Sequence, residues 1–204
     1  VADDRAGTRD AHARVIENTP EAWTHRAATA TTSYEAAMWS EAGQRRRFDA
    51  ILRATDPQHD ETLLDFGCGT GALSELIPPG VTYRGYDWSQ GMIDRARSEH
   101  PETPFRHFST GQSPFQYHVV VAVGPFNLRD GWSQQRTWTV LRNLWPMTVR
   151  VMAVSLYQGA DPNCIHYSRR DVTAFAGLLP DVGMIEVWKP WPNDVMVVVR
   201  RPPQ

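Results

Sequence analysis

The pattern of apolar and polar positions changes character near residue 60. Before it, residues 10–55 carry a helical spacing. Thr19-Pro20-Glu21 supplies an N-cap, a proline at the first helical position and an acidic first turn. A longer helix is predicted over 40–54, with Ala42, Phe48, Ile51 and Leu52 as apolar contacts, ended by Asp56-Pro57. From residue 62 the rhythm alternates. Runs at 62–66, 81–86, 105–108, 119–123 and 149–157 read as strands, and 72–77, 89–99 and 131–144 as helices. Ser89 can cap the second of these helices. Ser168-x-x-Asp171 is a capping box that opens another, ending near Leu178. The unbroken apolar run at 119–123, β-branched except for Ala122, is what a central parallel strand buried on both faces requires.

Strands alternating with helices imply βαβ units and a parallel sheet. The end of the chain breaks that rhythm. Runs at 184–188 and 195–200 are separated by Lys189-Pro190-Trp191-Pro192-Asn193-Asp194, too short for a helical crossover. An antiparallel hairpin is the expected result.

Composition narrows the function. A chain of 204 residues with 41% hydrophobic side chains can bury one sizeable core. No apolar run approaches the roughly 18 residues of a membrane helix, and residues 1–10 lack the apolar core of a signal peptide. A soluble, cytoplasmic protein without a membrane partner is expected, as a monomer or homodimer. The net charge of -2 gives no electrostatic footprint for nucleic acid. Arg45-Arg46-Arg47 points in three directions on a helix and reads mostly as a solvated cluster. Two cysteines, Cys68 and Cys164, are too few for a disulfide framework, and the scattered histidines form no ligand set, so no metal is expected.

The chemistry begins at Leu63-Leu64-Asp65-Phe66-Gly67-Cys68-Gly69-Thr70-Gly71, a strand running into a glycine-rich turn and a helix. Such a turn lets a ligand approach the backbone, and amides at a helix N-terminus attract negative charge. Gly67-x-Gly69-x-x-Ala72 with Asp87 twenty residues on also fits a dinucleotide fingerprint. Asp65 separates the two readings. A carboxylate there would repel a pyrophosphate but would stabilise an ammonium or a sulfonium.

Asp65-x-Gly67-x-Gly69-x-Gly71 resembles the first motif of class I S-adenosylmethionine-dependent methyltransferases, and Gly85-Tyr86-Asp87-Trp88-Ser89-x-x-Met92 resembles their second. The resemblance covers residues 62–200. It implies a Rossmann-like, doubly wound α/β fold: a mostly parallel seven-stranded sheet, an antiparallel C-terminal hairpin and an N-terminal helical lid. The division expected is a lid over 1–57 and a methyltransferase domain over 58–204. The resemblance further implies S-adenosylmethionine as cofactor, held by Asp65, Phe66, Gly67, Cys68, Gly69 and Gly71. Asp87 would accept both ribose hydroxyls, and Trp88 and Met92 would pack on the adenine. Two positions depart from the family pattern. Ser109 or Thr110 stands where an acidic residue often meets the adenine amine, and His118 stands where an aspartate often precedes strand four. His118 reads as a residue at the start of a strand, without chemistry.

In an open α/β sheet, ligands sit at the carboxyl ends of the strands. That places the methyl acceptor near Gly124-Pro125-Phe126-Asn127, with Gly124 beside the cofactor, Phe126 on the substrate and Asn127 a catalytic candidate. The polar residue that leads this motif in base-modifying methyltransferases is missing. Residues 34–48 are the lid candidate: Tyr34 as a proton acceptor, Trp39 on the substrate, and Gln44 and Arg47 on the methionine carboxylate. His25 and His166 are further conceivable proton acceptors, though nothing places them at the acceptor.

The leading reading is methyl transfer to a small metabolite, such as one of secondary metabolism, by in-line displacement. Cyclisation of the cofactor's own aminobutyryl chain, releasing methylthioadenosine, is a second reading. A nicotinamide-dependent oxidoreductase is a third, opposed by Asp65 and the hairpin. A non-catalytic binding module is a fourth.

Overall fold

The computed structural model describes residues 16–108 and 115–203. Three helices precede the sheet: α1 (Pro20–Thr29), α2 (Ser33–Ala36) and α3 (Glu41–Thr55). Each begins where a side chain satisfies an orphan amide: Thr19 accepts from Ala22, Thr32 from Glu35 and Ser40 from Gly43. The predicted helical stretch is thus broken at residues 30–32 and 37–40, and its first part, 10–15, lies outside the described residues.

The remaining elements are β1 (Thr62–Phe66), β2 (Thr82–Asp87), α4 (Gln90–Glu99), β3 (Phe105–His107) and β4 (Tyr117–Val123). Then come α5 (Gln134–Leu144), β5 (Thr148–Tyr157), α6 (Arg169–Ala176), β6 (Met184–Trp188) and β7 (Asp194–Arg200). One seven-stranded sheet results, in the order β3-β2-β1-β4-β5-β7-β6. The strands from β3 to β5 pair parallel, and β7 pairs antiparallel with both β5 and β6. The hairpin is therefore as expected, but its reversed strand lies one place in from the edge. The expected helix at 72–77 is instead a 3-10 segment, Ala72–Leu76. No α-helix N-terminus follows the glycine turn to attract a phosphate, contrary to the reading of those amides above.

Alternation along the strands assigns two cores to the two faces of the sheet. Leu64, Val120, Ala122, Met152, Val154, Val195, Val197 and Val199 pack under α5 and α6 with Trp145 and Phe175. Leu63, Val119, Val121, Val151, Ala153, Met196 and Val198 pack under α3 and α4 with Phe48, Ile51 and Ile93. Asp65 follows the parity of Leu63 and shares the α3/α4 face. The capping box of α6 is formed: the Ser168 hydroxyl accepts from the Asp171 amide at 3.1 Å, and Asp171 Oδ2 accepts from the Ser168 amide at 2.9 Å. Ser168→Ala is expected to lower stability by about 1 kcal/mol in urea unfolding. This cap lies far from the glycine turn, so ligand binding should not change.

Candidate active site

β1 and β2 end side by side, with Asp65 registered against Gly85 and Phe66 against Tyr86. The chain then turns back so that the Gly67 and Cys68 amides both donate to the Tyr86 carbonyl, at 2.7 and 3.1 Å. Gly67 takes a φ of 77°, and a Cβ there would lie 2.5 Å from Pro125 Cβ, so only glycine fits. The Gly69 amide points to β2 and donates to Asp87 Oδ2 at 2.9 Å, while the Ser89 amide donates to Asp87 Oδ1, also at 2.9 Å. One carboxylate thus fixes both the glycine turn and the N-terminus of α4.

Both carboxylates are buried, Asp65 at 3% and Asp87 at 8% exposure, yet both line one cavity of about 360 Å³. Burial pushes the Asp65 carboxyl up to about 7; the Tyr83 hydroxyl bonded to it pulls the other way, and the Asp87 charge adds to the rise. Burial also raises Asp87, against the lowering by amide hydrogen bonds from Ser89 and Gly69. The charged residues of the cavity wall, among those described, are Asp65, Asp87 and Arg136, a net negative lining suited to a cationic ligand. A carboxylate offers about four lone-pair positions. The Gly69, Ser89 and Trp88 amides act on Asp87, which leaves lone-pair capacity toward the cavity. Burial pushes the Cys68 thiol well up, so it stays protonated and is no nucleophile.

The N-terminal helices close the cavity. Thr24 of α1 lies 3.0 Å from the Ser89 hydroxyl, and Arg95 of α4 donates to the carbonyls of Ala27 and Ala30. Trp23 reaches the cavity while its indole donates to Asn18, whose own amide donates to Asp130 in the loop before α5. Trp39 packs on Phe48 and lies so close to Gly124 that a Cβ there would meet its ring at 2.5 Å. α3 belongs to the sheet core through Phe48 and Ile51 as well as covering the cavity.

Of the residues singled out from sequence, Asp65, Phe66, Gly67, Cys68, Gly69, Asp87, Trp88, Met92, Gly124, Gln44, Trp39 and Phe126 all line this cavity. Gly71 shapes the turn from behind, with a φ of 84° against the Phe105 ring. Ser109 and Thr110 lie outside the described residues.

Three candidates are not where they were expected. Arg47 was read as a clamp for the methionine carboxylate. Its guanidinium is instead turned to Asp194 at the start of β7, Nε to Oδ2 at 2.8 Å and Nη2 to Oδ1 at 3.3 Å, and it lies over Trp39. Tyr34 is off the cavity wall, its carbonyl accepting from the Trp39 amide. Asn127 is likewise off the wall; its Oδ1 accepts from the Tyr157 amide at 3.0 Å and ties the loop after β4 to β5. His25 and His166 are exposed, and His118 stands at the start of β4 with Nδ1 3.1 Å from the Thr62 amide.

Other wall residues escaped the sequence reading. Trp132 makes edge contact with Trp88 and stacks on Phe126, and Phe108 stacks on Tyr86. Arg136, Val140 and Asn143 face the cavity from α5. Their spacing of four and then three residues marks one helix face and was the available signal. Among the described residues no three His, Cys, Asp or Glu side chains gather as a metal site needs, and no helix is long and apolar enough to cross a membrane.

A negatively lined pocket at the carboxyl ends of a sheet of this order, with a reversed last strand, is what the resemblance to class I methyltransferases leads one to expect. Residues 64–124, from the position before Asp65 to the glycine after β4, match the family model of the methyltransferase domain. The matched segment carries most of β1, the glycine turn, β2 and β4. No curated protein sequence matches it. Its fold is similar to the magnesium protoporphyrin IX methyltransferase ChlM from Synechocystis PCC 6803 with bound SAM, at 17% identity and a TM-score of 0.62, covering 79% of this chain and 81% of that one. The DhpI–SAH complex covers 93% of this chain and 98% of its own at 13% identity, with a TM-score of 0.71. The [4+2]-cyclase SpnF covers 79% and 82% at 12% identity, with a TM-score of 0.63. At these identities the likeness is one of fold. The domain match and the reversed strand set the oxidoreductase reading aside.

Proposed function

We propose that this chain binds S-adenosylmethionine in the cavity and transfers its methyl group to a small, uncharged metabolite. The observation that carries the reading is the pair of buried carboxylates, Asp65 and Asp87, opening onto one cavity on either side of the Gly69 amide. Asp65 is suited to the ammonium and Asp87 to the ribose hydroxyls, with Trp88 and Met92 beside the adenine. When bound, the cofactor supplies an electrophilic methyl carbon on a sulfonium. Phe66 and Gly67 line the cavity between these groups. Tyr34 and Asn127 are not proposed as catalytic groups, because they lie off the cavity wall.

Trp23, Ala36, Ala37, Trp39 and Phe48 make the end of the cavity under the N-terminal helices apolar, with Ser33 and Gln44 as its polar groups. Such a wall excludes water and holds a flat or apolar acceptor in line with the methyl carbon, so alignment and desolvation supply most of the acceleration. Residues up to 57 act as the lid over a domain running from 58 onward, although α3 also serves the sheet core. The net charge of -2 supports a small acceptor over nucleic acid.

Product analysis tests the reaction. Incubation of the enzyme with methyl-labelled cofactor and pooled small-molecule acceptors should release S-adenosylhomocysteine only when acceptor is present. Release of methylthioadenosine from cofactor alone would instead establish the cyclisation, and would end the transfer reading.

A further inference from the structure

We propose that Tyr83 is the positioning residue for the cofactor's amino group: from below the cavity floor its phenol holds Asp65 as an oriented carboxylate. The inference rests on the adenosylmethionine reading above and adds to it a residue that does not touch the ligand. Tyr83 and Asp65 lie on the same face of adjacent parallel strands, because Leu63 registers with Tyr83 and Asp65 with Gly85. Gly85 shares that face without a side chain, and a Cβ there would meet Phe105 at 2.5 Å and Cys68 Sγ at 2.9 Å. The tyrosine ring lies edge-on to Phe105 at 6.0 Å, and its Oη donates to Asp65 Oδ2 at 2.8 Å. Tyr83 is 6% exposed and is absent from the cavity wall, whereas Asp65 lines it.

The surroundings make that one hydrogen bond matter. Asp65 faces Asp87 of β2, whose charge opposes its ionisation, and the protonated Cys68 thiol of the turn. On β4 it registers with Val121, and Phe48 and Gln44 of α3 line the same cavity without charge. Arg47 of α3 is turned to Asp194, and His107 of β3 acts on Asp87. Arg136 stands on α5, across the sheet. The Tyr83 hydroxyl is the group that opposes burial and the Asp87 charge, and burial keeps its phenol protonated and donating. Burial leaves the carboxyl it steadies pushed up to about 7.

The sign of the pH effect follows. An ammonium ligand prefers ionised Asp65, so its affinity rises as pH passes upward through about 7. Without the phenol the neutral acid is favoured, and the rise moves to higher pH. Calorimetric titrations with S-adenosylhomocysteine and with methylthioadenosine, which lacks the amino acid chain, separate this from a packing role. Tyr83→Phe keeps the ring against Phe105. It should bind S-adenosylhomocysteine about fivefold more weakly near pH 7 and recover toward wild type near pH 8.5, a shift of about one pKa unit. Methylthioadenosine affinity should not change. Asp65→Asn should abolish the pH step, and adding Tyr83→Phe to it should change affinity by less than about twofold. An unchanged pH midpoint in Tyr83→Phe, or equal loss of both ligands, would overturn the inference while leaving the cofactor reading intact. Failure of the wild-type protein to bind S-adenosylhomocysteine would remove both.

Discussion

Asp87→Ala is expected to weaken S-adenosylhomocysteine binding by at least roughly a hundredfold, read by calorimetry against the wild-type protein. Two effects add. In the proposed complex each Asp87 oxygen accepts a ribose hydroxyl, and charge-assisted hydrogen bonds are worth about 1.5 to 3 kcal/mol each. The same oxygens hold the Gly69 and Ser89 amides at 2.9 Å, so the substitution also releases the glycine turn and the N-terminus of α4. The second effect loosens the ligand's backbone contacts before any hydroxyl arrives. Affinity within about threefold of wild type would show that Asp87 serves the loop alone, since even one such bond is worth more.

Asp194→Ala should be the most destabilising of the substitutions considered, by about 3 to 5 kcal/mol, measured as the loss in unfolding free energy in urea. The Asp194 side chain is fully buried and that of Arg47 is 10% exposed, so removing the carboxylate leaves a guanidinium without its counter-charge in a low-dielectric site. A melting temperature lower by roughly 10 °C should accompany the loss. The double substitution Arg47→Met with Asp194→Leu should recover most of the stability, because no buried charge is then left unpaired. A single substitution costing less than about 1 kcal/mol would mean that water reaches the pair. The same pair fixes Arg47 over Trp39, so the acceptor end of the cavity should loosen with it.

These residues also show what could be read from the sequence. The parallel sheet was visible because β4 carries a continuous Val and Ala run over 119–123 and the capping box of α6 is local. The hairpin was visible because six turn-forming residues cannot carry a crossover. The glycine turn and Asp87 were legible for a similar reason: their chemistry depends on fixed spacing within adjacent strands. Arg47 was misassigned because its partner, Asp194, lies 147 residues away, and no local pattern predicts such a pair. Asn127 was misassigned for a related reason. Its amide is spent on the Tyr157 backbone, a contact that exists only once β4 and β5 are paired. The helix after the turn shortened to a 3-10 segment because Gly71 begins it without a side-chain cap and Pro78 and Pro79 follow soon after it. Trp23 and Trp132 reach the cavity through packing of loops and helices distant in sequence, which composition alone cannot locate.

The most direct measurement is a calorimetric titration of the wild-type protein with S-adenosylhomocysteine, repeated with NADH. Saturable one-to-one binding of the first, displaced by S-adenosylmethionine, with no heat from the second, is the result predicted by Asp65 and Asp87 at the two sides of the glycine turn. Absence of binding by S-adenosylhomocysteine, or saturable binding of NADH in the same cavity, would contradict it.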